Sequence, residues 1–172
     1  NQKSAMMASV DPEITRHYGH YYESGATKWR NLSAIGKANN ITNLCVTTRH
    51  QTVLEIGAGD GAVLEQLSKA NFAEIIDAIE ISETAITTIK SRGIDGLREV
   101  SLFNGSDIPR EDGSYDLAIL SHVVEHLEHP RQLLREAARV AKKVLVEVPL
   151  ELKVRTPNHF KWNDTGHINL YS

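Results

Sequence analysis

The sequence has little that would set it apart from ordinary globular proteins. Cys45 is its single cysteine among 172 residues, which excludes an internal disulfide and a zinc site built from cysteines alone. No apolar run approaches the roughly 18 residues that a membrane helix needs. With 19 positive and 22 negative residues the net charge is −3, which excludes a generally basic nucleic-acid binder but leaves room for a local basic patch. We therefore expect a soluble cytoplasmic protein with no membrane insertion.

A repeating strand and helix pattern begins near residue 51. Five short apolar runs typical of buried strands alternate with segments of helical periodicity, over residues 53–56, 75–81, 99–103, 116–121 and 144–148. Ser82 and Pro130 suit helix starts, and Gly93 suits the position just after a helix. This order predicts an α/β, Rossmann-like doubly wound fold, with a mainly parallel sheet and helices on both faces.

The N-terminal part of the chain predicts helices rather than strands. A first short helix is expected over Ile14–Tyr22, and it carries Tyr18, Tyr21 and Tyr22. A second helix is expected to begin at Thr27 and to end at a turn formed by Asn39-Asn40. Its apolar side chains fall loosely on one helical face, at Trp29, Leu32 and Ile35.

Glycines and acids follow the predicted strands at their carboxyl ends, where such sheets bind ligands. Residues 57–61 (GAGDG) follow the first strand, Glu80 ends the second, Asp107 follows the third, and residues 121–126 follow the fourth. The glycine loop also satisfies a permissive dinucleotide fingerprint, with Glu80 where a ribose-binding acid is expected. A tight turn that binds no ligand is the alternative interpretation.

Charge favours one class of ligand over another. Glu55 and Asp60 place two carboxylates around the glycine loop, and each would repel a pyrophosphate by about 1 kcal/mol or more. A nucleoside with a sulfonium and an ammonium group would be attracted instead. Glu80 would accept hydrogen bonds from ribose hydroxyls and Asp107 from an adenine amino group. The alternatives are a solvated acid at a strand end for Glu80 and a loop-capping acid for Asp107.

The chain resembles class I S-adenosylmethionine-dependent methyltransferases of the small-molecule type over about residues 50–150. The run VLEIGAGDG at 53–61 looks like that family's first motif, and Glu125-His126-Leu127 with Pro130 resembles ubiquinone-pathway O-methyltransferases. The resemblance implies S-adenosyl-L-methionine as cofactor, S-adenosyl-L-homocysteine as product, and O- or N-methylation of a small-molecule acceptor by in-line displacement. It implies a set of cofactor-binding residues: Glu55, Gly57, Ala58, Gly59, Gly61, Glu80, Ile81, Ser106, Asp107, Ile108, Ser121 and His122.

Histidines supply the candidates for a general base, which an acceptor hydroxyl would favour. His126 follows the fourth strand, and an ordinary histidine pKa of about 6.5 suits the role. His167, or His159, lies after the fifth strand, on the expected substrate side. The alternative for His126 is a structural histidine that fixes its loop by hydrogen bonds.

Two other functions stay open. His122-x-x-Glu125-His126 with His167 loosely resembles the Glu-x-x-Glu-His…His metal site of small-RNA 3′-terminal ribose methyltransferases. Because His122 replaces that pattern's first glutamate, we assign no metal ligand and do not expect nucleic acid as the partner; metal-assisted methylation of RNA stays an alternative. A non-catalytic domain that binds S-adenosylmethionine is the other.

The predicted organisation has three parts. Residues 1–50 form a helical cap over the cofactor site, residues 51–150 form the cofactor-binding core, and residues 151–172 form a substrate-side segment. Family members continue after the fifth strand with a helix and two strands, and the 22 residues after Leu150 are too few for all three. We therefore expect a truncated chain that lacks its C-terminal strands.

Overall fold

A computed structural model describes residues 27–46, 49–150 and 167–171. The predicted first helix with its tyrosines, and His159, lie outside the described residues. Among the described helices, none is long and apolar enough to cross a membrane.

The centre of the fold is a five-stranded, entirely parallel sheet in the order β3-β2-β1-β4-β5. Its strands are β1 His50–Ile56, β2 Ala73–Glu80, β3 Leu97–Leu102, β4 Leu117–Ser121 and β5 Val144–Glu147. Each contains most of one predicted apolar run, because parallel strands covered on both faces need continuous apolar side chains. The strand order reverses between β1 and β4, which creates the crevice where ligands bind in such sheets. The predicted fold class is confirmed.

The helices begin and end where local chemistry favours it. They are α1 Thr27–Leu44, α2 Ala62–Lys69, α3 Glu83–Ser91 and α4 Pro130–Val140, with a short 3₁₀ helix at Val124–His126. Ser82 Oγ accepts a hydrogen bond from the Ala85 amide at 3.3 Å and so caps α3. Pro130 occupies the first turn of α4, and Gly93 with a φ of +59° follows α3, as predicted.

Apolar side chains fill both faces of the sheet. On one face Ile41 of α1, Leu64 of α2 and Ile89 of α3 pack against β1 and its neighbours. On the other face Leu133 and Ala137 of α4 pack against β4 and β1. The two apolar clusters cover the two faces of the sheet and leave its carboxyl edge open. The loops at that edge are therefore anchored to packed side chains on both faces.

Helix α1 differs from its prediction in two ways. The expected turn at Asn39-Asn40 is wrong, because both residues lie inside α1. The predicted apolar face of Trp29, Leu32 and Ile35 is exposed, with Trp29 at 67%, whereas Ala34, Ala38 and Ile41 are buried. Small side chains let the helix approach α2 closely, so this contact buries the face with the alanines and leaves the face with Trp29 exposed.

Candidate active site

The glycine loop between β1 and α2 depends on backbone conformations that side chains disfavour. Gly57, Gly59 and Gly61 all have positive φ, at +72°, +57° and +79°. A Cβ atom on Gly57 would also lie 2.7 Å from Cγ2 of Val123, in the loop after β4. The loop therefore needs glycine at position 57 both for its turn and for its close packing on the neighbouring loop.

Glu80 ties the ends of β1 and β2 together. Its carboxylate is buried and accepts hydrogen bonds from the amides of Gly59 at 2.8 Å, Ile81 at 2.8 Å and Ser82 at 3.2 Å. Burial raises the pKa of Glu80, while these three amide donors lower it. The acid at the end of the second strand is thus oriented by its own loop at the crevice.

The surroundings of the two acids beside the glycine loop differ from what the sequence suggested. Burial raises the pKa of Glu55 to about 8, so this carboxyl is protonated near neutral pH. Asp60 is buried against two guanidinium groups, Arg30 at 3.0 Å and Arg92 at 3.3 Å. The expectation of two free carboxylates around the loop is therefore wrong. The sequence alone could not predict these ion pairs, because Arg30 lies on α1 and Arg92 follows α3, both far from Asp60 along the chain.

The loop after β3 is built around Asn104. Its side-chain oxygen accepts hydrogen bonds from the amides of Ser106 and Asp107 at 2.9 and 2.8 Å, and its amide group donates to the Asp107 carboxylate at 2.8 Å. Asp107 is exposed at this edge, whereas Ile108 is buried in the core beside α4. Ser106 is buried too, whereas Asp107 between these two buried residues faces solvent.

The ends of β4 and β5 share a polar contact that the sequence did not predict. Ser121 Oγ donates to Glu147 Oε2 at 2.6 Å, and the Asn40 side chain donates to Glu147 Oε1 at 2.7 Å. His122 has a φ of +57°, and burial together with the charge of Lys37 lowers its pKa to about 4. Glu147 and Asn40 had no sequence signal, since neither belongs to a motif and 107 positions separate them.

Two segments far apart in sequence meet at Glu125. Its side chain is fully buried, and its main-chain carbonyl accepts hydrogen bonds from the amides of Ile168 and Asn169 at 2.8 and 2.9 Å. This contact places the His167 ring edge-on to the His126 ring, with centroids 4.9 Å apart. Among the described residues, both carboxylate oxygens of Glu125 lack a hydrogen-bond partner.

The crevice thus collects most residues that the sequence singled out. Glu55, Glu80, Asp107 and the segment around His122 all lie at the carboxyl edge, and Ile81 lies there half-buried. Ala58 and Ile108 contribute to the packed core instead of an open surface. The assignment of these residues to a cofactor stays a prediction.

Comparison with known proteins gives the following relations. Residues 54–144, just over half of the chain, match a family described as a methyltransferase domain. A probable S-adenosylmethionine-dependent methyltransferase of Mycobacterium tuberculosis is 32% identical over 111 residues, which cover 64% of this chain and 37% of that protein. The ubiquinone biosynthesis O-methyltransferase of Caulobacter vibrioides is 33% identical over 100 residues, or 53% of this chain and 36% of that protein. The chain spans little more than a third of the curated relatives it matches.

A solved structure shares the fold at low sequence identity. The [4+2]-cyclase SpnF has a TM-score of 0.66 and 19% identity, and the match covers 80% of this chain and 53% of that one. Because one fold can host unrelated reactions, this likeness supports the Rossmann-like architecture and leaves the reaction to the site residues.

Proposed function

Since this chain belongs to the methyltransferase-domain family, we propose that it transfers a methyl group to a small-molecule acceptor. S-adenosylmethionine is the cofactor that the family and fold imply, as the sequence predicted. The observation that carries the proposal is Glu80, a buried carboxylate oriented by three amides at the end of β2. A carboxylate fixed there suits the two vicinal hydroxyls of a ribose.

Glu55 supports the fit of this cofactor. Its Oε2 atom is buried below the glycine loop and has no hydrogen-bond partner among the described residues. An orphaned carboxyl oxygen is costly, and an ammonium group such as that of a methionyl moiety would satisfy it. The residues that would hold the cofactor are thus Glu55 at the amino acid part, Glu80 at the ribose and Asp107 at the base.

Methyl transfer depends mainly on how the cofactor and the acceptor are oriented relative to each other. When bound, S-adenosylmethionine supplies a sulfonium methyl group that passes in line to an acceptor lone pair as the carbon–sulfur bond breaks and leaves S-adenosylhomocysteine. Orientation by the crevice supplies most of the acceleration in such a reaction. His126 and His167 would take the proton that an acceptor hydroxyl or amine releases, at a ring nitrogen. Their edge-on contact at the crevice supports this role.

Single-turnover transfer tests the proposal. The protein is incubated with methyl-labelled S-adenosylmethionine and a panel of small hydroxyl- and amine-bearing molecules, and labelled product is measured. We expect transfer by the wild-type protein and a loss of about tenfold or more in S-adenosylhomocysteine affinity for Glu80→Gln. Glu83→Gln, an exposed acid at the start of α3, is the matched control and should bind normally.

The same experiment separates two interpretations of His126. A general base predicts that His126→Gln lowers the transfer rate by about a hundredfold or more while binding of S-adenosylhomocysteine is kept. A structural role for His126 predicts instead that His126→Gln loses thermal stability while the folded fraction keeps an unchanged transfer rate.

Tight binding of S-adenosylhomocysteine by the wild-type protein with no transfer to any acceptor would favour a non-catalytic domain and contradict the proposal.

A second candidate function is metal-assisted transfer, which the geometry around Glu125 favours. Ligand atoms of Glu125, His126 and His167 all lie within 4.8 Å of one another. A third imidazole is nearby, because His122 Nδ1 lies 3.5 Å from Glu125 Oε1. One carboxylate with two or three imidazoles suits a transition metal better than Mg²⁺. The sequence assigned no metal ligand, because His122 stands where the pattern that it resembles has its first glutamate.

Metal content decides between the two candidates. The protein is treated with EDTA, its metal is measured before and after, and transfer is tested with Zn²⁺ or Mn²⁺ added back. Metal-assisted transfer predicts a loss of activity that the ion restores, and a loss of bound metal in His167→Ala. His129→Ala changes an exposed histidine of the same region and serves as the control. Full activity after EDTA with no metal bound contradicts the second candidate.

A further inference from the structure

Helix α1 places Lys37 at the crevice. This helix precedes residues 54–144, which match the family, so the family match assigns Lys37 no role. Near its start, Arg30 pairs with Asp60 in the loop after β1. Ten residues later, Asn40 donates to Glu147 at the end of β5. In the sheet β4 lies between these two strands, so α1 passes over the end of β4. Lys37 lies between the two contacts, seven residues after Arg30 and three before Asn40, on the same side of the helix.

The position of Lys37 agrees with the charges that act on it. Its charge lowers the pKa of His122, which directly follows β4. Glu147 is the carboxylate that acts on Lys37 most strongly, followed by Glu55 and Glu125. Lys37 therefore lies on the β4–β5 side of the crevice. The acids suited to ribose and adenine, Glu80 and Asp107, lie on the β2–β3 side.

Within the described ranges, Lys37 makes no hydrogen bond and no ion pair. Two of the acids that act on Lys37, Glu147 and Asp60, already have other partners. Each oxygen of Glu147 accepts a hydrogen bond from another side chain, and Asp60 is paired with two arginines. Glu55 is protonated near neutral pH. Burial lowers the pKa of Lys37, which shows the cost of holding its charge there, and an anion at Nζ would offset that cost.

We propose that Lys37 binds an anionic oxygen group of the methyl acceptor, a carboxylate or an ionised hydroxyl. The inference rests on the proposed function, because it assigns the substrate class of the same crevice. A half-buried ammonium with no fixed counterion among the described residues selects for negative charge. Its place over β4 lies away from the side suited to the nucleoside. An ammonium beside an ionised hydroxyl would also stabilise the oxyanion as the nucleophile.

The cofactor has a carboxylate of its own, so the test must separate the two sources. Lys37→Gln removes the charge, Lys37→Arg keeps it, and Lys90→Gln changes an exposed lysine of α3 as the control. Calorimetry gives the affinity for S-adenosylhomocysteine and for 5′-methylthioadenosine, which has the nucleoside without the carboxylate. Benzoate then serves as the anionic acceptor probe, titrated by NMR into protein saturated with S-adenosylhomocysteine.

The proposal expects benzoate affinity to fall about tenfold or more in Lys37→Gln, since a charge-assisted hydrogen bond contributes roughly that much. Lys37→Arg should bind benzoate within a few-fold of wild type, and affinity for S-adenosylhomocysteine should change by less than about twofold in every variant. Unaltered benzoate binding in Lys37→Gln overturns the proposal, as does the absence of benzoate binding to the wild type.

One further result would reassign the lysine. If Lys37→Gln loses affinity for S-adenosylhomocysteine but not for 5′-methylthioadenosine, the anion belongs to the cofactor, and the acceptor proposal is overturned while the proposed function stands. Failure of the wild-type protein to bind S-adenosylhomocysteine would instead contradict the proposed function, and this inference with it. The two failures are therefore distinguishable.

Discussion

Two acids five positions apart at the glycine loop, Glu55 and Asp60, have opposite surroundings. Asp60 forms ion pairs with two arginines, Arg30 and Arg92, whereas burial raises the pKa of Glu55 to about 8. These surroundings come from neighbours that other elements supply, so local sequence could not distinguish the two. At the scale of the residue, the positions of these acids were predictable from the motif, and their surroundings were not.

The protonation of Glu55 predicts how stability changes with pH. The folded protein keeps the Glu55 proton up to about pH 8, whereas the unfolded chain releases it near pH 4.5. The free energy of unfolding should therefore fall as pH rises between these values, by on the order of 5 kcal/mol from this group. Glu55→Gln, which stays neutral, should flatten that decline in urea unfolding measured across the range. An unchanged slope in Glu55→Gln, with Glu74→Gln as the exposed control, would contradict the assignment.

Gly57 gives a second prediction at the residue scale. Gly57→Ala imposes both a positive φ and a clash with Val123, and should cost about 2–4 kcal/mol of stability. Gly113→Ala is the matched control: its φ is +63°, but no atom lies within 4 Å of the new Cβ, so about 1 kcal/mol is expected. Chemical unfolding measures both. Equal losses at the two positions would exclude a contribution from the loop contact.

At the scale of the element, strands were more predictable than α1. A strand buried on both faces must be apolar throughout, so its position can be read from a short run of residues. Helix α1 offers two faces, one with large apolar residues and one with alanines and Arg30. Which face is buried depends on the shape of the surface it meets and on Asp60, and neither is encoded within the helix itself.

The Arg30–Asp60 pair predicts how firmly α1 is held. Arg30→Ala removes one partner of a buried ion pair, and the free energy of unfolding should fall by about 2–4 kcal/mol. The loss is limited because Arg92 remains as a partner of Asp60. Arg49→Ala removes an exposed pair with Glu74 and should cost less than about 1 kcal/mol. Hydrogen exchange should report faster opening of α1 amides in Arg30→Ala. Slow exchange throughout α1 would show that apolar contacts alone hold the helix.

At the scale of the whole molecule, topology makes the site. Parallel strands joined by helices place the carboxyl ends of β1, β2, β3 and β4 at one edge, so loops distant in sequence converge there. That convergence was predictable from the alternation of elements. The contact of His167 with the 3₁₀ helix was not, because it depends on backbone hydrogen bonds between two segments that have no shared pattern.

Ligand-linked stability tests the site as a unit. S-adenosylhomocysteine at a hundredfold excess over its dissociation constant should stabilise the protein by about 2.7 kcal/mol, which raises the melting temperature by about 5–10 °C. NADH at the same concentration should leave it unchanged, because the family and the fold imply S-adenosylmethionine and not a dinucleotide as cofactor. A shift with NADH and none with S-adenosylhomocysteine would contradict the cofactor and return the glycine loop to the dinucleotide alternative.

The sequence by itself determined the five strands, the glycine turn, the acid at the end of β2 and the family these imply. Those features are local: each follows from the side chains or glycines of a single segment. Only the tertiary structure decided which acids carry charge, which face of α1 is buried, and that Lys37, Glu147 and His167 join the crevice. Charge and burial depend on neighbours from other elements, because desolvation and ion pairing act through space and not along the chain.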